Sequence, residues 1–180
     1  MPGSLQKDIG LITFVPLATI DPPAIEQLLD RAFGADRHGR TAYRIREGMR
    51  AIPGLSFAAL EDGVLVGTIQ CWPVRFCGTD GRDVPLAMVG PVAVEPARQR
   101  DGIGQQLIER ALVAATASGE ARALMLIGDP EYYGRWFGFT DERTAGWQVP
   151  GPVERHRLLA RGDDVPAGEG TIGPRMAALA

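Results

Sequence analysis

The chain lacks any apolar run long enough to cross a bilayer. Its longest apolar stretch, residues 86–94, falls well short of the roughly 20 residues that a membrane-spanning helix needs. Residues 1–8 show neither the basic start nor the apolar centre of an export signal. We therefore expect a protein that does not reside in a membrane and that is located in the cytoplasm.

Cysteine is scarce, with two residues in 180, Cys71 and Cys77. Both lie in one segment with the pattern of a strand, in which a separation of six residues at about 3.3 Å each places them roughly 20 Å apart. A disulfide requires Cα atoms within about 7 Å, so free thiols are expected, as in a reducing compartment. The sequence also lacks a His/Cys cluster at ligand spacing, which argues against a metal site.

A concentration of positive charge is also missing. The formal net charge is −3, and the 19 basic residues, mostly arginine, are spread along the chain. Nucleic-acid-binding proteins usually carry a basic face or stripe, so nucleic acid is not an expected partner. The mild net acidity weakly favours a cationic acceptor such as an amine.

The length and the composition, 180 residues with 45% apolar and 23% charged, predict one globular domain over residues 1–180. Residues 162–180 are expected to form a loop or a loosely attached tail, because glycine and proline are frequent beyond residue 147. Periodicity and turn residues predict the order β-α-α-β-β-β-α-β-α-β. The predicted strands are 12–17, 56–61, 64–76, 86–94, 123–127 and 157–160, and the first two predicted helices are 22–33 and 41–50.

Two dipeptides shape the predicted sheet. Asp62-Gly63 between two apolar runs is a strong hairpin signal. Gly90-Pro91 interrupts the strand over residues 86–94, which indicates a bulge that frees neighbouring backbone groups. Antiparallel hairpins followed by a strand–helix–strand unit predict a mixed sheet with helices on its faces.

The most informative segment is the turn that ends at Gly104 and leads from a strand into an amphipathic helix. The first N–H groups of a helix have no partner within it, and the helix dipole makes this end positive, so phosphate binds there readily. Gly102 and Gly104 carry no side chain, so a bulky anion can approach the backbone closely. Arg98 and Arg100 are placed to add charge-assisted hydrogen bonds, whereas the Asp101 carboxylate is expected to point into water.

Two better-known phosphate loops do not fit this turn. A dinucleotide fingerprint would need a third glycine three residues after Gly104, and a Walker loop would need a lysine that the turn lacks. Val94, Pro96, Gln99, Gly102 and Gly104 instead match the A motif of the GNAT superfamily, the Gcn5-related N-acetyltransferases. The segment resembles that motif over its full spacing.

The resemblance covers roughly residues 10–160 and is strongest over residues 86–139. It implies the GNAT fold of the α/β (α+β) class, with a mixed, mostly antiparallel sheet splayed at its fourth strand and helices on both faces. It also implies acetyl-CoA as acyl donor, without a metal, and a pantetheine arm that lies against the fourth strand like an added strand. The residues assigned in this way to coenzyme A are Val92, Ala93, Val94, Gln99, Arg100, Asp101, Gly102, Ile103 and Gly104.

Residues 128–139 resemble the B motif of the family, a helix with a tyrosine shortly before Gly-Phe. Their Gly-Asp-Pro-x-Tyr-Tyr opening is similar to a bacterial branch of predicted small N-acetyltransferases. The usual interval from tyrosine to glycine is four residues, whereas Tyr133 to Gly138 is five, so Trp136 looks like an insertion. Tyr132 and Tyr133 are both candidates for the general acid that protonates the departing thiolate, with Tyr133 slightly favoured, and either could be a packed core residue instead.

The activity that the resemblance implies is N-acetyl transfer, in which a primary amine of a small molecule or a protein attacks the thioester directly. The backbone N–H of Val92 would polarise the carbonyl oxygen. Glu61 and Glu95 are candidates for the base, but each fits a solvated strand-end carboxylate better, and His38 and His156 are expected at the surface. No catalytic base is therefore assigned.

Two other functions stay open. A non-catalytic acyl-CoA-binding or sensory module would keep the cofactor turn without the chemistry, and the altered tyrosine-to-glycine interval favours it. A nucleotide-binding regulator could use the same anion site, although the missing fingerprints disfavour it. A homodimer is expected only by analogy with similar enzymes.

Overall fold

The computed structural model describes residues 10–175, which form one sheet of eight strands with four α-helices. Residues 1–8, which underlie the expected location, and residues 176–180 lie outside the described residues. The strands are β1 (Ile12–Pro16), β2 (Phe57–Glu61), β3 (Val64–Gly78), β4 (Asp83–Val94), β5 (Leu124–Ile127), β6 (Trp147–Gln148), β7 (Leu158–Arg161) and β8 (Gly170–Pro174). The helices are α1 (Pro22–Phe33), α2 (Thr41–Ile45), α3 (Ile103–Ser118) and α4 (Pro130–Phe137).

The sheet is mixed and mostly antiparallel, as predicted. Its order is β1-β2-β3-β4-β5-β7, and β4 and β5 run parallel whereas the other neighbours along this path are antiparallel. The predicted hairpin joins β2 to β3, where Asp62 (φ 49°) and Gly63 (φ 82°) both adopt the left-handed conformation of a tight hairpin turn. This hairpin places β2 and β3 side by side.

The sheet opens at its fourth strand. β4 and β5 are paired only at Ala87↔Leu124 and Met88↔Met125, and each strand continues beyond that point without its neighbour. Gly90 has a φ of +113°, and the register between β3 and β4 shifts at this level, so the bulge predicted from Gly90-Pro91 is confirmed. The result is a V-shaped gap between β4 and β5.

Helices cover both faces of the sheet. Successive strand residues point to opposite faces, and Ala58 packs into the cluster with α1 residues Leu28 and Leu29, whereas Ala59 packs into the cluster with α3 residues such as Leu107. Burying these apolar helix faces is what fixes α1 and α3 against the sheet. The N-terminus of α3 is thereby held next to the end of β4.

Two expectations about regular structure are wrong. The predicted loop or tail over residues 162–180 contains β8, which pairs with the end of β3 and buries Ile172 opposite Phe76. β3 extends beyond β2, so an edge is left for β8 to cover, and a glycine-rich strand with one buried apolar residue has too weak a pattern to be predicted. The second helix ends at Ile45 rather than near residue 50, and Gly48 (φ +75°) continues the turn that follows.

Cys71 and Cys77 are free thiols, as predicted. Burial raises the pKa of the Cys71 thiol to about 12, so this side chain stays protonated and behaves as a small apolar residue. Among residues 10–175, no helix has the length and the apolar composition needed to cross a membrane.

Candidate functional site

Helix α3 begins without a side-chain cap. Gly102, at the N-cap position, is left-handed (φ +77°), and the first intrahelical bond runs from the Gln106 N–H to the Gly102 carbonyl at 3.2 Å. The amides of Ile103, Gly104 and Gln105 therefore have no acceptor within the helix. A Cβ added to Gly102 would meet no heavy atom within 4 Å, so the space beside these amides is open. An anion such as pyrophosphate fits this positive helix end.

The turn before α3 is braced by ion pairs. Arg98, whose side chain is only 14% exposed, donates to Glu61 and to Asp101, the latter at 2.5 Å. The expectation that Arg98 serves phosphates is therefore wrong, because a largely buried guanidinium requires counter-charges. Asp101 is exposed, as expected, and its carboxylate also accepts from Arg98. Gln99 also ties the turn to β4 through a 3.4 Å bond from Nε2 to the Val94 carbonyl.

Arg100 is the remaining arginine of the turn. It is exposed and makes no ion pair with any residue of the described range. Its guanidinium is therefore available for a charge-assisted bond to a phosphate at the start of α3.

The two carboxylates considered as bases are engaged elsewhere. Glu61 is paired with Arg98, and Glu95 accepts a forked pair of bonds from Arg31 at 3.1 and 2.9 Å. The histidines are exposed, as predicted, and His156 lies 3.4 Å from the exposed Glu154. None of these four side chains is positioned as a buried base.

At its C-terminal end, β4 is hydrogen-bonded to β3 along one edge and unpaired along the other. The Glu95 N–H donates to the Val66 carbonyl of β3 at 2.8 Å, and in an antiparallel ladder only alternate residues bond to the same neighbour. Ala93 therefore directs its backbone groups to β3, whereas Val92 and Val94 direct theirs into the gap towards β5. An extended chain lying in the gap would meet Val92 and Val94, and not Ala93, through the main chain.

A cavity of about 730 Å³ lies at the wide end of the gap. Gly90, Pro91 and Val92 contribute its β4 side, Ile127 its β5 side, and Tyr133 of α4 part of its wall. The segment around α2 closes the opposite side with Tyr43, Arg46 and neighbouring residues. The gap, the bulge of β4 and the Tyr133 side chain thus meet in one place.

The two tyrosines of α4 have different surroundings. Tyr133 lines the cavity, and burial raises its pKa to about 12, with an opposing effect from the positive charge of Arg157. The ring of Tyr132 contacts that of Tyr133 edge-on with centroids 5.0 Å apart and packs beside the main core, and burial also raises its pKa. The structure therefore places Tyr133, and not Tyr132, against the space beside Gly90 and Val92.

Trp136 does not disturb this placement. It is 58% exposed, whereas Phe137, one turn after Tyr133, is buried, and α4 ends at Gly138 with a left-handed φ of +74°. The helical period keeps Tyr133 and Phe137 on the inner face and leaves the extra residue on the outer face.

The comparisons with known proteins agree with this geometry. A family model described as "Acetyltransferase (GNAT) family" matches residues 23–139. The chain belongs to this family. The resemblance seen in the A and B motifs is thereby confirmed, and with it the assignment to acyltransferases. The N-acetyltransferase YhbS of Escherichia coli (strain K12) is 33% identical over 120 residues, which cover 67% of this chain and 68% of YhbS.

Two solved structures are similar over most of the chain. YhbS from Escherichia coli, in complex with CoA, aligns with a TM-score of 0.66 and 25% identity over 89% of this chain and 88% of that chain. A GNAT family acetyltransferase from Brucella melitensis, in complex with acetyl-CoA, aligns with a TM-score of 0.62 and 26% identity over 94% and 99% of the two chains. The GNAT fold is therefore shared over almost the whole described range.

The sequence did not predict a cluster of Arg46, Tyr43 and Trp72 in this GNAT protein. The Arg46 guanidinium lies between the rings of Tyr43 and Trp72, with its central carbon 4.1 and 4.0 Å from the two ring centroids. A Tyr-x-x-Arg spacing on a helix hints at the first contact, but Trp72 comes from β3 and nothing in the sequence connects it to Arg46. Among residues 10–175, no group of three or more His, Cys, Asp or Glu side chains could hold a metal ion.

Gly128 leaves room for the ring of Tyr133. A Cβ built at this position would lie 2.5 Å from Cε2 and 2.7 Å from Cδ2 of Tyr133, so the ring would have to move. We expect Gly128→Ala to lower kcat about tenfold, because small misplacements of a reacting group are costly, while the acetyl-CoA affinity is unchanged. Steady-state kinetics and calorimetric titration with acetyl-CoA measure the two quantities. An unchanged kcat would contradict a catalytic role for the position of this ring.

Proposed function

We propose that this chain transfers an acetyl group from acetyl-CoA to a primary amine, which attacks the thioester carbonyl directly. One observation carries the proposal: an uncapped helix N-terminus and a free strand edge lead along one gap into a cavity that contains a tyrosine. A pyrophosphate at α3, an extended arm along β4 and a thioester beside Tyr133 would follow the same path. The CoA and acetyl-CoA complexes of the two similar structures support acetyl-CoA as the donor.

The residues divide the chemistry between donor binding and charge stabilisation. In this proposal the amides of Ile103 and Gly104, with Arg100, bind the pyrophosphate, and Val92 and Val94 hold the arm through backbone hydrogen bonds. The Val92 N–H polarises the carbonyl oxygen, which gains negative charge as the amine attacks. The Tyr133 hydroxyl donates a hydrogen bond, and then its proton, to the sulfur as the carbon–sulfur bond breaks. The attacking nitrogen loses a proton as the amide forms, and through water this proton returns to the Tyr133 oxygen.

The amine loses its proton to solvent in this scheme. Among the cavity-lining residues that the structure describes, Glu154 is the one carboxylate, and its side chain is 69% exposed. This carboxylate lies in solvent beside His156, so we assign the proton of the ammonium group to water in the open cavity. The rate should accordingly rise with pH as more of the amine becomes neutral.

Binding and turnover test the proposal. We expect acetyl-CoA to raise the melting temperature and a panel of primary amines to contain acceptors that release free thiol, detected with a chromogenic disulfide reagent. Absence of acetyl-CoA binding at millimolar concentration would refute the function. Binding without thiol release across the panel would favour the sensory module, and the heat-denatured protein serves as the control for uncatalysed thioester hydrolysis.

A cytoplasmic location, a single domain over residues 1–180 and a homodimer remain proposals alongside this function. The free thiols of Cys71 and Cys77 support a reducing compartment. Size-exclusion chromatography with light scattering measures the oligomeric state directly.

A further inference from the structure

One buried charge in the cavity wall is left without a counter-charge. Arg46 is 5% exposed, and its guanidinium makes no ion pair with any residue in the range 10–175. The hydrogen bonds that it does make are a long one, 3.4 Å from Nη1 to the Gly90 carbonyl at the β4 bulge, and one with the Tyr43 hydroxyl. Burying a charge costs free energy unless the charge is paired, so we infer that an anionic group of a ligand binds this arginine.

The neighbouring Arg37 is also buried, but carboxylates of this chain neutralise its charge. Arg37 is 2% exposed, and its guanidinium binds Glu26, Asp30 at 2.9 Å and the hydroxyl of Tyr43. Arg46 receives two aromatic rings in place of carboxylates. Burial lowers its pKa to about 10, so the group is still charged at neutral pH but is stabilised less well than in water.

The stacked rings determine which part of Arg46 can meet a ligand. The central carbon of the guanidinium lies over the Tyr43 ring and over the Trp72 ring, and contacts of this kind leave the N–H groups at the edge available for hydrogen bonds. The edge of a guanidinium matches the two oxygens of a planar carboxylate, and an arginine held by stacking is already oriented for that contact.

A second unmatched donor lies beside Arg46. The Trp72 Nε1 is buried and has no hydrogen-bond partner among the described residues, and neither has Gln70 Oε1. Both residues line a smaller cavity of about 190 Å³ that shares Arg46 and Tyr43 with the main one. Buried polar atoms are nearly always hydrogen-bonded, so these two indicate a small polar molecule such as water in the smaller cavity, and they do not locate a ligand in the main one.

The side chains that line the main cavity are also predominantly positive. Its lining contains Arg40, Arg46 and Arg157 besides the neutralised Arg37, against the single carboxylate of Glu154. A positive wall disfavours a polycationic acceptor, although the whole chain carries a net charge of −3. The carboxylates of Glu26 and Glu47 line only the smaller cavity, which places an acceptor's anionic group on the main-cavity side of Arg46.

We propose that the acceptor is an amine that also carries a carboxylate, an amino acid in the broad sense, and that Arg46 binds this carboxylate. The inference rests on the proposed acetyl transfer. The ammonium end, once neutral, would lie towards Gly90 and the thioester, and the carboxylate would lie against the guanidinium edge. The weak sequence-based expectation of a simple cationic acceptor is thereby replaced.

Matched acceptor pairs test the proposal. Thiol release is measured with β-alanine against propylamine, γ-aminobutyrate against butylamine, and lysine against cadaverine, in wild type and in Arg46→Gln. We expect wild type to prefer the carboxylated member of at least one pair by about 10- to 100-fold in kcat/KM, the value of one charged hydrogen-bonded contact. Arg46→Gln should lose that preference through a higher KM for the amine, with the KM for acetyl-CoA unchanged.

Control variants keep the result interpretable. Arg50→Gln removes an exposed arginine of the same segment and should leave the preference intact, and Arg46→Lys should restore part of it because the charge returns without the fork. Melting curves of every variant show whether the fold persists. As a readout that does not require turnover, N-acetyl-β-alanine with CoA should raise the melting temperature of wild type and not that of Arg46→Gln.

Several results would overturn the inference while sparing the proposed function. They are equal use of propylamine and β-alanine, an unchanged preference in Arg46→Gln, or use of O-phosphoethanolamine in place of every carboxylated amine. Failure of all amines together with failure of acetyl-CoA to bind would instead refute the proposed function itself. A product-analogue shift that persists in Arg46→Gln would also count against Arg46 as the anion site.

Discussion

Tyr133→Phe is expected to lower kcat by about 10²- to 10⁴-fold, the usual contribution of a general acid, while acetyl-CoA still binds. The substitution removes the hydroxyl group of a residue that lines the cavity and leaves the ring and its packing in place. Without that hydroxyl the departing thiolate keeps its charge in a partly buried site. Thiol-release kinetics give kcat, and calorimetric titration gives the affinity for acetyl-CoA.

Tyr132→Phe is the matched control, because it removes the same hydroxyl from the adjacent residue, which does not line the cavity. Its kcat should stay within about twofold of wild type, since a peripheral hydroxyl contributes little to the reaction. Loss of turnover in Tyr132→Phe but not in Tyr133→Phe would reverse the assignment. Normal turnover in both would mean that water, and not a tyrosine, protonates the sulfur.

The pH profile provides a further check on the same group. Burial raises the pKa of Tyr133 to about 12, so the acid form is present below that pH and is lost only as the pH rises through it. In wild type, kcat/KM should therefore rise as the amine loses its proton and should show no descending limb below about pH 10. A descending limb near neutral pH would indicate a different acid.

Gly102→Leu is expected to weaken acetyl-CoA binding about 100-fold, the value of one or two charge-assisted bonds to phosphate. The Cβ at this position projects into open space beside the uncapped amides of α3, so a leucine side chain would occupy the volume that a pyrophosphate needs. The affinity is measured by calorimetry or by the shift in melting temperature on adding CoA.

Gly119→Leu separates this effect from backbone strain. Gly119 caps the other end of α3 with a similar left-handed conformation, φ +85° against +77° at Gly102, and a Cβ there also meets no heavy atom within 4 Å. Each substitution should cost about 1–2 kcal/mol of stability, because a side chain is disfavoured in that conformation. Unchanged CoA affinity in Gly102→Leu, or an equal loss in both variants, would show that the start of α3 does not bind the pyrophosphate.

The parts of the fold that follow from local signals were predictable. Helix α1 begins at Pro22 and ends at Phe33 as expected, because proline at the first turn and Gly34 after the last set its limits within a few residues. The hairpin at Asp62-Gly63 and the bulge at Gly90 likewise depend on the conformations that those residues favour. The start of α3 carries the most specific pattern, and its surroundings in space agree with it.

The roles of several site residues depended on contacts between distant segments. Arg98 and Arg100 lie in the same turn. Glu61 at the end of β2 approaches Arg98 and accepts a hydrogen bond from it, so Arg98 stabilises the turn. Tyr132 and Tyr133 differ by one position, and only the direction in which α4 packs decides which of them reaches the cavity. β8 could not be predicted, since its pairing depends on how far β3 extends beyond β2.

The sequence by itself determined the glycine turn at the start of α3, the break in the fourth strand and hence the family and the acyl donor. These features are encoded in short segments, where backbone preferences, capping and glycine placement act over a few residues. The tertiary structure decided which tyrosine lines the cavity, engaged Glu61 and Glu95 in ion pairs, and brought Arg46 against Tyr43 and Trp72. Such contacts join residues far apart in the chain, so they arise only when the sheet and its helices pack.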